Sequence, residues 1–297
     1  MAHIHGAAGA GHQHAVVAVP TRTAVVRTAV ILAAGQGSRM RRDEPSAALD
    51  ASQAAVAASG IKGMMPFGGP LGRPFLEYVI SALADAGITN VVLVIGPSHD
   101  LIRRHFTTGV RSARVHVRFV VQPEPLGTAN AVAIAADSVG SEPFLVLNSD
   151  NYYPVQAFRL LAEYGGAATV AFDRAALLRW GNIPADRVQA FAALDVEADG
   201  TLRGVVEKPG GQWAADDPRF RWVGMNLWCI TPALADACRR VPRSTRGEFE
   251  LPEAVALAIA EGVRVQAMPF EGGVLDLSHR SDVSAVQQAL ADITPRL

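Results

Sequence analysis

Short apolar runs alternate with longer amphipathic stretches over residues 28–173, and this alternation constrains the fold more than any other feature. The runs TAVILAA, VVLVIG and PFLVLNSD are apolar at almost every position, as is typical of strands buried on both faces of a parallel sheet. The intervening PFLEYVISALADAG has helical spacing and ends in glycine. The alternation predicts an α/β protein with a doubly wound, mainly parallel sheet between helical layers.

The pattern changes after residue 186, where shorter β-like runs follow one another. VQAFAALDVEADGTLRGVVEKP holds two such runs around an Asp-Gly turn, and RWVGMNLWCI follows as another strand. We therefore interpret residues 25–297 as one domain with two halves, 25–185 and 186–297. Residues 1–24 hold four histidines among Ala and Gly and are predicted to be a disordered leader, with a metal-binding tract as the alternative.

The charge balance and the cysteine content exclude several classes of protein. The formal net charge is −1, so no overall field favours a nucleic-acid or membrane partner. No apolar stretch approaches the ~18 residues of a membrane-spanning helix. The two cysteines have neither metal-site spacing nor the pattern of a disulfide framework. We expect a cytoplasmic protein without a nucleic-acid or membrane partner.

Lysine is rare in a chain rich in arginine. Of 27 basic residues only Lys62 and Lys208 are lysines. Chance is one explanation of this count. The other is that both positions require a compact point charge in place of the planar guanidinium fork.

The first apolar run leads into AVILAAGQGSRMRR, a candidate phosphate-binding loop. Gly35 and Gly37 allow backbone N–H groups to approach phosphate oxygens, while Ser38 and Arg39 add further donors. The loop is unlike a dinucleotide-binding G-x-G-x-x-G because Met40 stands at the sixth position, and it lacks the G-K-[ST] of a P-loop. A tight strand-to-helix turn without ligand is the structural alternative. LAAGQGSRM instead resembles the L-A-A-G-x-G-[ST]-R-M loop of nucleotidylyltransferases.

Further motifs carry the same resemblance along the chain. In order they are KGMMPFGGPLGRPFLEYVI, QPEPLGTANAV, FLVLNSDN, GVVEKP, WVGMNLWCI, RGEFELPEAV and GVLDLSHRSDV. Together they resemble the sugar-1-phosphate nucleotidylyltransferases over about residues 28–290. Lys62 and Lys208 fall at the two places where that family uses lysine against phosphates. The resemblance implies a Rossmann-like three-layer sandwich of the nucleotide-diphospho-sugar transferase type, whose doubly wound sheet is mixed but mainly parallel. It also implies a nucleotide-binding first half and a sugar-phosphate-binding second half.

The resemblance implies a reaction in which a sugar 1-phosphate oxygen attacks the α-phosphorus of a nucleoside triphosphate and pyrophosphate leaves. A phosphate monoester with a second pKa of about 6 is already anionic near neutral pH, so no general base is needed. The implied catalytic residues are Arg39, Lys62, Asp150 and Lys208. The implied nucleotide contacts are Leu32, Ala33, Ala34, Gly35, Gly37, Ser38, Gln122, Gly127 and Thr128. Sugar-phosphate contacts are implied for Asn148, Glu207, Lys208, Gly224 and Asn226, and Mg²⁺ coordination for Asp150 and Asp276.

The identity of the nucleotide base is predicted from Gln122. The amide of this side chain can donate and accept hydrogen bonds with the imide edge of a pyrimidine. In the resembled family a Gln here goes with uracil or thymine, which favours UTP first and dTTP second. Cytidylyl- or guanylyltransferases acting on another phosphorylated molecule, and a nucleotide-binding regulatory pseudoenzyme, are the alternatives. The resemblance is also compatible with a homo-oligomer.

The chain departs from the family pattern at three places. An Ala-rich insertion occupies residues 43–60, LDLSHRSD stands in place of the usual Asp-Thr-Gly, and GMN inverts the common N-x-G order. The insertion is expected to form a helix over the mouth of the site.

Overall fold

The structure is a computed structural model that describes residues 25–42, 44–69, 72–207 and 217–297. The predictions for the leader 1–24 and for Lys208 lie outside these residues.

The described residues form alternating strands and helices in the first half, as the apolar pattern predicts. The strands are β1 (Thr28–Leu32), β2 (Pro66–Phe67), β3 (Arg73–Pro74), β4 (Asn90–Ile95), β5 (His116–Val121), β6 (Phe144–Asn148), β7 (Asn151–Tyr152), β8 (Ala168–Asp173), β9 (Ala192–Val196), β10 (Leu202–Val206), β11 (Trp222–Ile230), β12 (Gln266–Phe270) and β13 (Leu275–Asp276). The α-helices are α1 (Ser38–Arg41), α2 (Ala51–Ser59), α3 (Phe75–Asp85), α4 (Asp100–Arg104), α5 (Thr128–Val139), α6 (Val155–Tyr164), α7 (Arg174–Trp180), α8 (Ala185–Val188), α9 (Pro232–Arg240), α10 (Leu251–Ala260) and α11 (Asp282–Leu290).

One mixed sheet runs through the molecule in the order β10-β9-β11-β6-β1-β4-β5, with β8 joining β11 to β12. β1 pairs in parallel with both β4 and β6, and β4 pairs in parallel with β5. The long strand β11 is antiparallel to β6, β8 and β9. β12, from the second half of the chain, pairs in parallel with β8. The first half therefore supplies the parallel strands β1, β4, β5 and β6, and the second half joins the sheet through the antiparallel β11 and the parallel β12.

Alternate residues of the central strands face two different hydrophobic cores, which makes three layers. In β1, Ala29 and Ile31 belong to one core, and Val30 belongs to the other. The first core includes apolar residues of α3, α6 and α11, whereas the second includes those of α5, α9 and α10. Strands buried on both faces explain why these runs are apolar throughout.

The carboxyl ends of β1, β4 and β6 lie together because these strands are parallel neighbours. The loops that follow them, at residues 33–37, 96–99 and 149–150, therefore meet at one edge of the sheet. This edge is where open α/β sheets bind their ligands.

The insertion that was predicted to be helical contains α2. Residues of the insertion itself cap both ends of this helix. Asp50 accepts a hydrogen bond from the Gln53 backbone N–H, and the Gln53 side chain accepts one from the Asp50 N–H, which makes a capping box. Gly60 ends the helix in a left-handed conformation. The Gln53 amide also donates to the Pro66 carbonyl and the Gln287 side chain, so α2 is fixed to both halves of the chain.

Candidate active site

A cavity of about 540 Å³ opens at the carboxyl ends of the parallel strands. Twelve of the predicted site residues line it: Leu32, Ala33, Ala34, Gly35, Gly37, Ser38, Lys62, Gln122, Gly127, Thr128, Asn148 and Asp150. They come from the loop after β1, the segment after α2, the start of α5 and the end of β6. Residues that are up to 118 positions apart in the sequence thus share one cavity, and that shared position makes it the candidate active site.

Gly37 allows the loop after β1 to turn and to pack against the insertion. Its φ is 60°, in the left-handed region that glycine adopts without steric cost. A Cβ at this position would lie 2.7 Å from the carbonyl carbon of Gly60 and closer still to its oxygen. The Arg41 side chain joins the same two segments, since its Nε and a terminal nitrogen donate to the Ser59 carbonyl at 3.2 and 2.9 Å. The end of α2 therefore forms one wall of the cavity.

Lys62 and Asp150 form an ion pair inside the cavity. The distance from Lys62 Nζ to Asp150 Oδ2 is 2.8 Å, and the two side chains are 11% and 20% exposed. Lys62 begins the short 3₁₀ helix Lys62–Met64, and Asp150 lies two residues beyond β6. The insertion does not separate the lysine from the candidate metal ligand. A positive point charge and a carboxylate are thus held together beside the glycine loop.

Asp276 lies next to Asp150 because β13 pairs with β7, the strand that follows Asp150. The Leu277 N–H donates to the Asp150 carbonyl at 2.9 Å. The Asp276 carboxylate is 2% exposed and accepts hydrogen bonds from Asn151 and Ser278, both at 3.1 Å. It does not line the cavity.

Arg187 is the counterion of Asp276, and sequence reasoning did not identify it. One guanidinium nitrogen lies 2.6 Å from Asp276 Oδ2 and another 2.5 Å from Asp282 Oδ1. Burial, followed by the nearby charges of Asp150 and Asp282, raises the pKa of Asp276 to about 6 although Arg187 acts in the opposite direction. The two candidate metal ligands therefore repel each other electrostatically across a short distance.

Two neighbouring carboxylates fit Mg²⁺, which prefers oxygen ligands and takes the rest of its coordination shell from phosphates and water. Within the described ranges, no group of three or more His, Cys, Asp or Glu side chains is placed to hold a metal by itself. A substrate-assisted Mg²⁺ site at Asp150 and Asp276 is compatible with this finding, and it would displace or rearrange Lys62 and Arg187.

Gln122 also lines the cavity, one residue after β5, with 5% of its surface exposed. Its Nε2 donates to the Gly127 carbonyl at 3.1 Å and to Asn130 Oδ1 at 2.8 Å. Gly127 itself has a φ of 106°, and a Cβ there would lie 2.9 Å from the Phe249 nitrogen. Both N–H groups of the Gln122 amide are thus used within the protein, whereas the sequence led us to expect an amide that both donates and accepts.

Several predicted residues lie away from the cavity lining. Arg39 is exposed on α1, next to Ser38, and Glu207 is exposed just beyond β10. Gly224 and Asn226 lie in β11, where a β-bulge interrupts the pairing with β8 and Asn226 has a φ of 57°. Their contacts with a sugar phosphate stay predictions.

The cavity also contains residues to which sequence reasoning assigned no role. They are Gln36, Gly60, Ile61, Gly63, Ile102, Pro125, Ala131, Ser149 and Glu248. Glu248 lies within the quoted RGEFE motif, so its signal was present in the sequence. Gly60 and Ile61 belong to the insertion and its exit, where the family pattern offers no guide.

A smaller recess of about 250 Å³ adjoins the cavity and shares Ala34, Gln36, Gln122 and Pro125 with it. His99 lies in its wall and is buried. The His99 Nδ1 accepts a hydrogen bond from the Gly96 N–H at 3.2 Å, so this nitrogen carries no proton. Burial lowers the pKa of His99.

Arg280 connects the second half of the chain to the end of α1. Its Nε donates to the Met40 carbonyl at 3.0 Å, and a terminal nitrogen lies 3.4 Å from the Arg41 carbonyl. Cationic donors at the last carbonyls of a helix are favourable. The segment that carries Asp276 therefore also holds the helix that follows the glycine loop.

A known protein family matches the described domain over nearly its whole length. The model of the nucleotidyl transferase family matches residues 28–292. The chain belongs to this family. The resemblance read from the motifs is confirmed, and the family match covers nearly the whole of the described domain.

Two curated relatives are named for glucose 1-phosphate. A glucose-1-phosphate thymidylyltransferase of Streptomyces antibioticus is 28% identical over 278 residues, which is 91% of this chain and 68% of the relative. A UTP–glucose-1-phosphate uridylyltransferase, AglF, of Haloferax volcanii is 26% identical over 269 residues, 90% of this chain and 97% of the relative. The two relatives differ in the base they are named for.

Solved structures agree with the predicted fold. A UDP-glucose pyrophosphorylase complexed with UDP-glucose has a TM-score of 0.68 at 17% identity, over 89% of this chain and 98% of that one. A UTP-bound enzyme from Acinetobacter baumannii has a TM-score of 0.65 at 21% identity, over 91% and 95% of the two chains. The predicted mixed sheet of the nucleotide-diphospho-sugar transferase type is confirmed. In the part of the chain that the structure describes, no helix is long and apolar enough to cross a membrane.

Proposed function

We propose that the protein transfers a nucleotidyl group from a nucleoside triphosphate to a sugar 1-phosphate, with UTP as the preferred donor and dTTP second. The observation that carries the proposal is the Lys62–Asp150 pair at 2.8 Å within the cavity that the glycine loop and Gln122 also line. This arrangement combines a phosphate-binding loop, a cation, a metal-binding carboxylate and a base-recognition group. The thymidylyl and uridylyl relatives support the substrate class.

The requirements of the proposed reaction follow from the negative charge of both reactants. An oxygen of the sugar 1-phosphate forms a bond to the α-phosphorus, and the bond from that phosphorus to the bridging oxygen breaks, with its electron pair leaving on pyrophosphate. Both reactants are anions, so the site must bring them together and neutralise their charge. Lys62 is placed to hold an oxygen of the α-phosphate or of the incoming phosphate. Mg²⁺ bound by Asp150 and Asp276 would supply further charge neutralisation.

The remaining roles are distributed along the cavity. Gly35, Gly37 and Ser38 would receive the triphosphate, and Arg39 beside them would neutralise charge on the departing pyrophosphate. Asn148, at the end of β6, is close to Asp150 and would contact the sugar phosphate. Lys208, Glu207, Gly224 and Asn226 are proposed as its partners from the second half of the chain.

The direct test is pyrophosphate release over a grid of ATP, GTP, CTP, UTP and dTTP against a panel of sugar 1-phosphates with Mg²⁺. We expect turnover with UTP and dTTP to exceed that with the other three. The Lys62→Met variant, purified in parallel, controls for contaminating enzymes. No release in any combination would refute the enzymatic function, whereas a preference for GTP or CTP would refute only the assigned base.

A further inference from the structure

We propose that Asn130 determines base specificity by positioning Gln122, so that only the carbonyl oxygen of the Gln122 amide faces the base. The inference rests on the proposed function and deepens it. Asn130 does not line the cavity, so it acts through Gln122 and is a positioning residue.

The orientation of the Gln122 amide is fixed by a group that can only accept. A backbone carbonyl has no proton to give, so the atom 3.1 Å from the Gly127 oxygen must be the Gln122 nitrogen. Asn130 then meets the same nitrogen at 2.8 Å, and this requires that Asn130 present its own oxygen. The Gly127 contact thus identifies the nitrogen of Gln122, and the Gly127 carbonyl and Asn130 Oδ1 together hold this amide in its orientation.

The two contacts use all the hydrogens of the Gln122 nitrogen. A primary amide has two N–H groups, and here one goes to Gly127 and the other to Asn130. Among the described residues, none donates a hydrogen bond to Gln122 Oε1, and Gln122 lines the cavity. Toward a ligand the side chain is therefore an acceptor only.

An acceptor of this kind distinguishes the pyrimidines. Uracil and thymine carry a hydrogen on N3 and can donate to Gln122 Oε1. Cytosine carries a lone pair on N3, which would face the lone pairs of the same oxygen. A buried polar pair that is mismatched in this way is unfavourable because neither group can reach water. Without Asn130 the Gln122 amide would be held by the Gly127 carbonyl alone and would be free to rotate, so that an N–H could turn toward a base acceptor. The discrimination would then weaken.

The test compares kcat/KM for UTP and CTP in the wild type, Asn130→Ala and Asn130→Asp. The aspartate keeps an acceptor at the same place, so we expect it to retain the wild-type UTP/CTP ratio. We expect Asn130→Ala to lower that ratio by about tenfold, as the loss of one neutral hydrogen bond does. The KM for the sugar 1-phosphate should stay unchanged. Asp137→Ala, an exposed substitution on the same helix, is the matched control.

A double-mutant cycle separates positioning from a general structural effect. In a Gln122→Leu background, Asn130→Ala should leave the UTP/CTP ratio unchanged, because the group through which Asn130 acts is gone. A wild-type ratio in the Asn130→Ala enzyme would overturn the inference. So would an equal fall of the ratio with and without Gln122.

Binding measurements keep this inference distinct from the proposed function. The dissociation constants of UTP and CTP are measured by isothermal titration calorimetry for the wild type and Asn130→Ala. If the wild type binds UTP more tightly than CTP without any turnover, the proposed function fails, and the binding ratio still tests Asn130. If turnover is normal and neither ratio responds to Asn130→Ala, the inference fails and the function stands.

Discussion

The substitution Gly37→Ala tests whether the contact between the glycine loop and the insertion determines the geometry of the site. Two costs arise at this position. An L-residue in the left-handed region is less stable than glycine by about 1–2 kcal/mol. A Cβ placed 2.7 Å from the Gly60 carbonyl carbon must move away by about 1 Å to reach an ordinary contact of ~3.7 Å, and such overpacking costs about 1–3 kcal/mol.

The sum is a loss of about 2–5 kcal/mol in the free energy of unfolding, which corresponds to a fall in Tm on the order of 5–10 °C. The movement of about 1 Å that relieves this contact would also displace the glycine loop within the cavity and so affect activity. A misplacement of about 1 Å near reacting groups lowers the rate by about 10²-fold, so kcat/KM for the triphosphate should fall by that order.

The assays are thermal unfolding and pyrophosphate release. Gly262→Ala is the matched control, since Gly262 has a φ of 90°, a Cβ there meets no atom within 4 Å, and the residue does not line the cavity. It should show the conformational cost without the loss of activity. A Gly37→Ala enzyme with the Tm and kcat/KM of the wild type would refute the reasoning, because the loop and the insertion would then not be in the contact described.

Three further predictions concern other parts of the site. Asp150→Asn should lower kcat by roughly 10²–10³-fold, since it removes the proposed metal ligand, whose charge neutralisation would be worth several kcal/mol, and near-normal pyrophosphate release would refute the proposed metal site. The lowered pKa of His99 means that the unfolded chain takes up a proton near pH 6.5 while the folded protein does not. The free energy of unfolding should therefore fall as the pH drops below about 6.5, and urea titrations should show a weaker fall in His99→Gln than in the control His116→Gln. Arg280→Ala frees the Met40 carbonyl at the end of α1 and should raise the KM for the triphosphate with little change in that for the sugar 1-phosphate, as initial-rate measurements would show. Equal changes in both constants would contradict this role of Arg280.

Much of the fold could be predicted because buried parallel strands have a distinctive sequence. The run around Val30 is apolar on both faces of the sheet, and the structure places alternate residues in different cores. The partners of β11 were harder to predict. That strand pairs with β6, β8 and β9 at different points along its length, and such long-range pairing depends on how whole layers pack.

The cavity lining was largely predicted from motifs, because the backbone loops that bind phosphates need fixed residue types at fixed spacing. The charges around the cavity were less predictable. Arg187 comes from a four-residue helix outside every quoted motif, yet it pairs with both Asp276 and Asp282. The partners of Gln122 were also missed, since a motif gives the identity of a side chain without the direction in which its amide points.

The insertion helix α2 has a consequence for the exchange of amide hydrogens. The helix spans nine residues, whereas an isolated helix needs about 12–15 residues to persist in water. The stability of α2 therefore depends on its contacts with the rest of the protein. The end of α2 forms a wall of the cavity. If the bound triphosphate contacts this wall, it binds only the protein molecules in which α2 is folded. Saturation at 100 times the dissociation constant then stabilises that form by about 2.7 kcal/mol, which slows exchange through α2 opening by about 100-fold. A helix whose side chains take no part in the proposed chemistry would thus report the occupancy of the site.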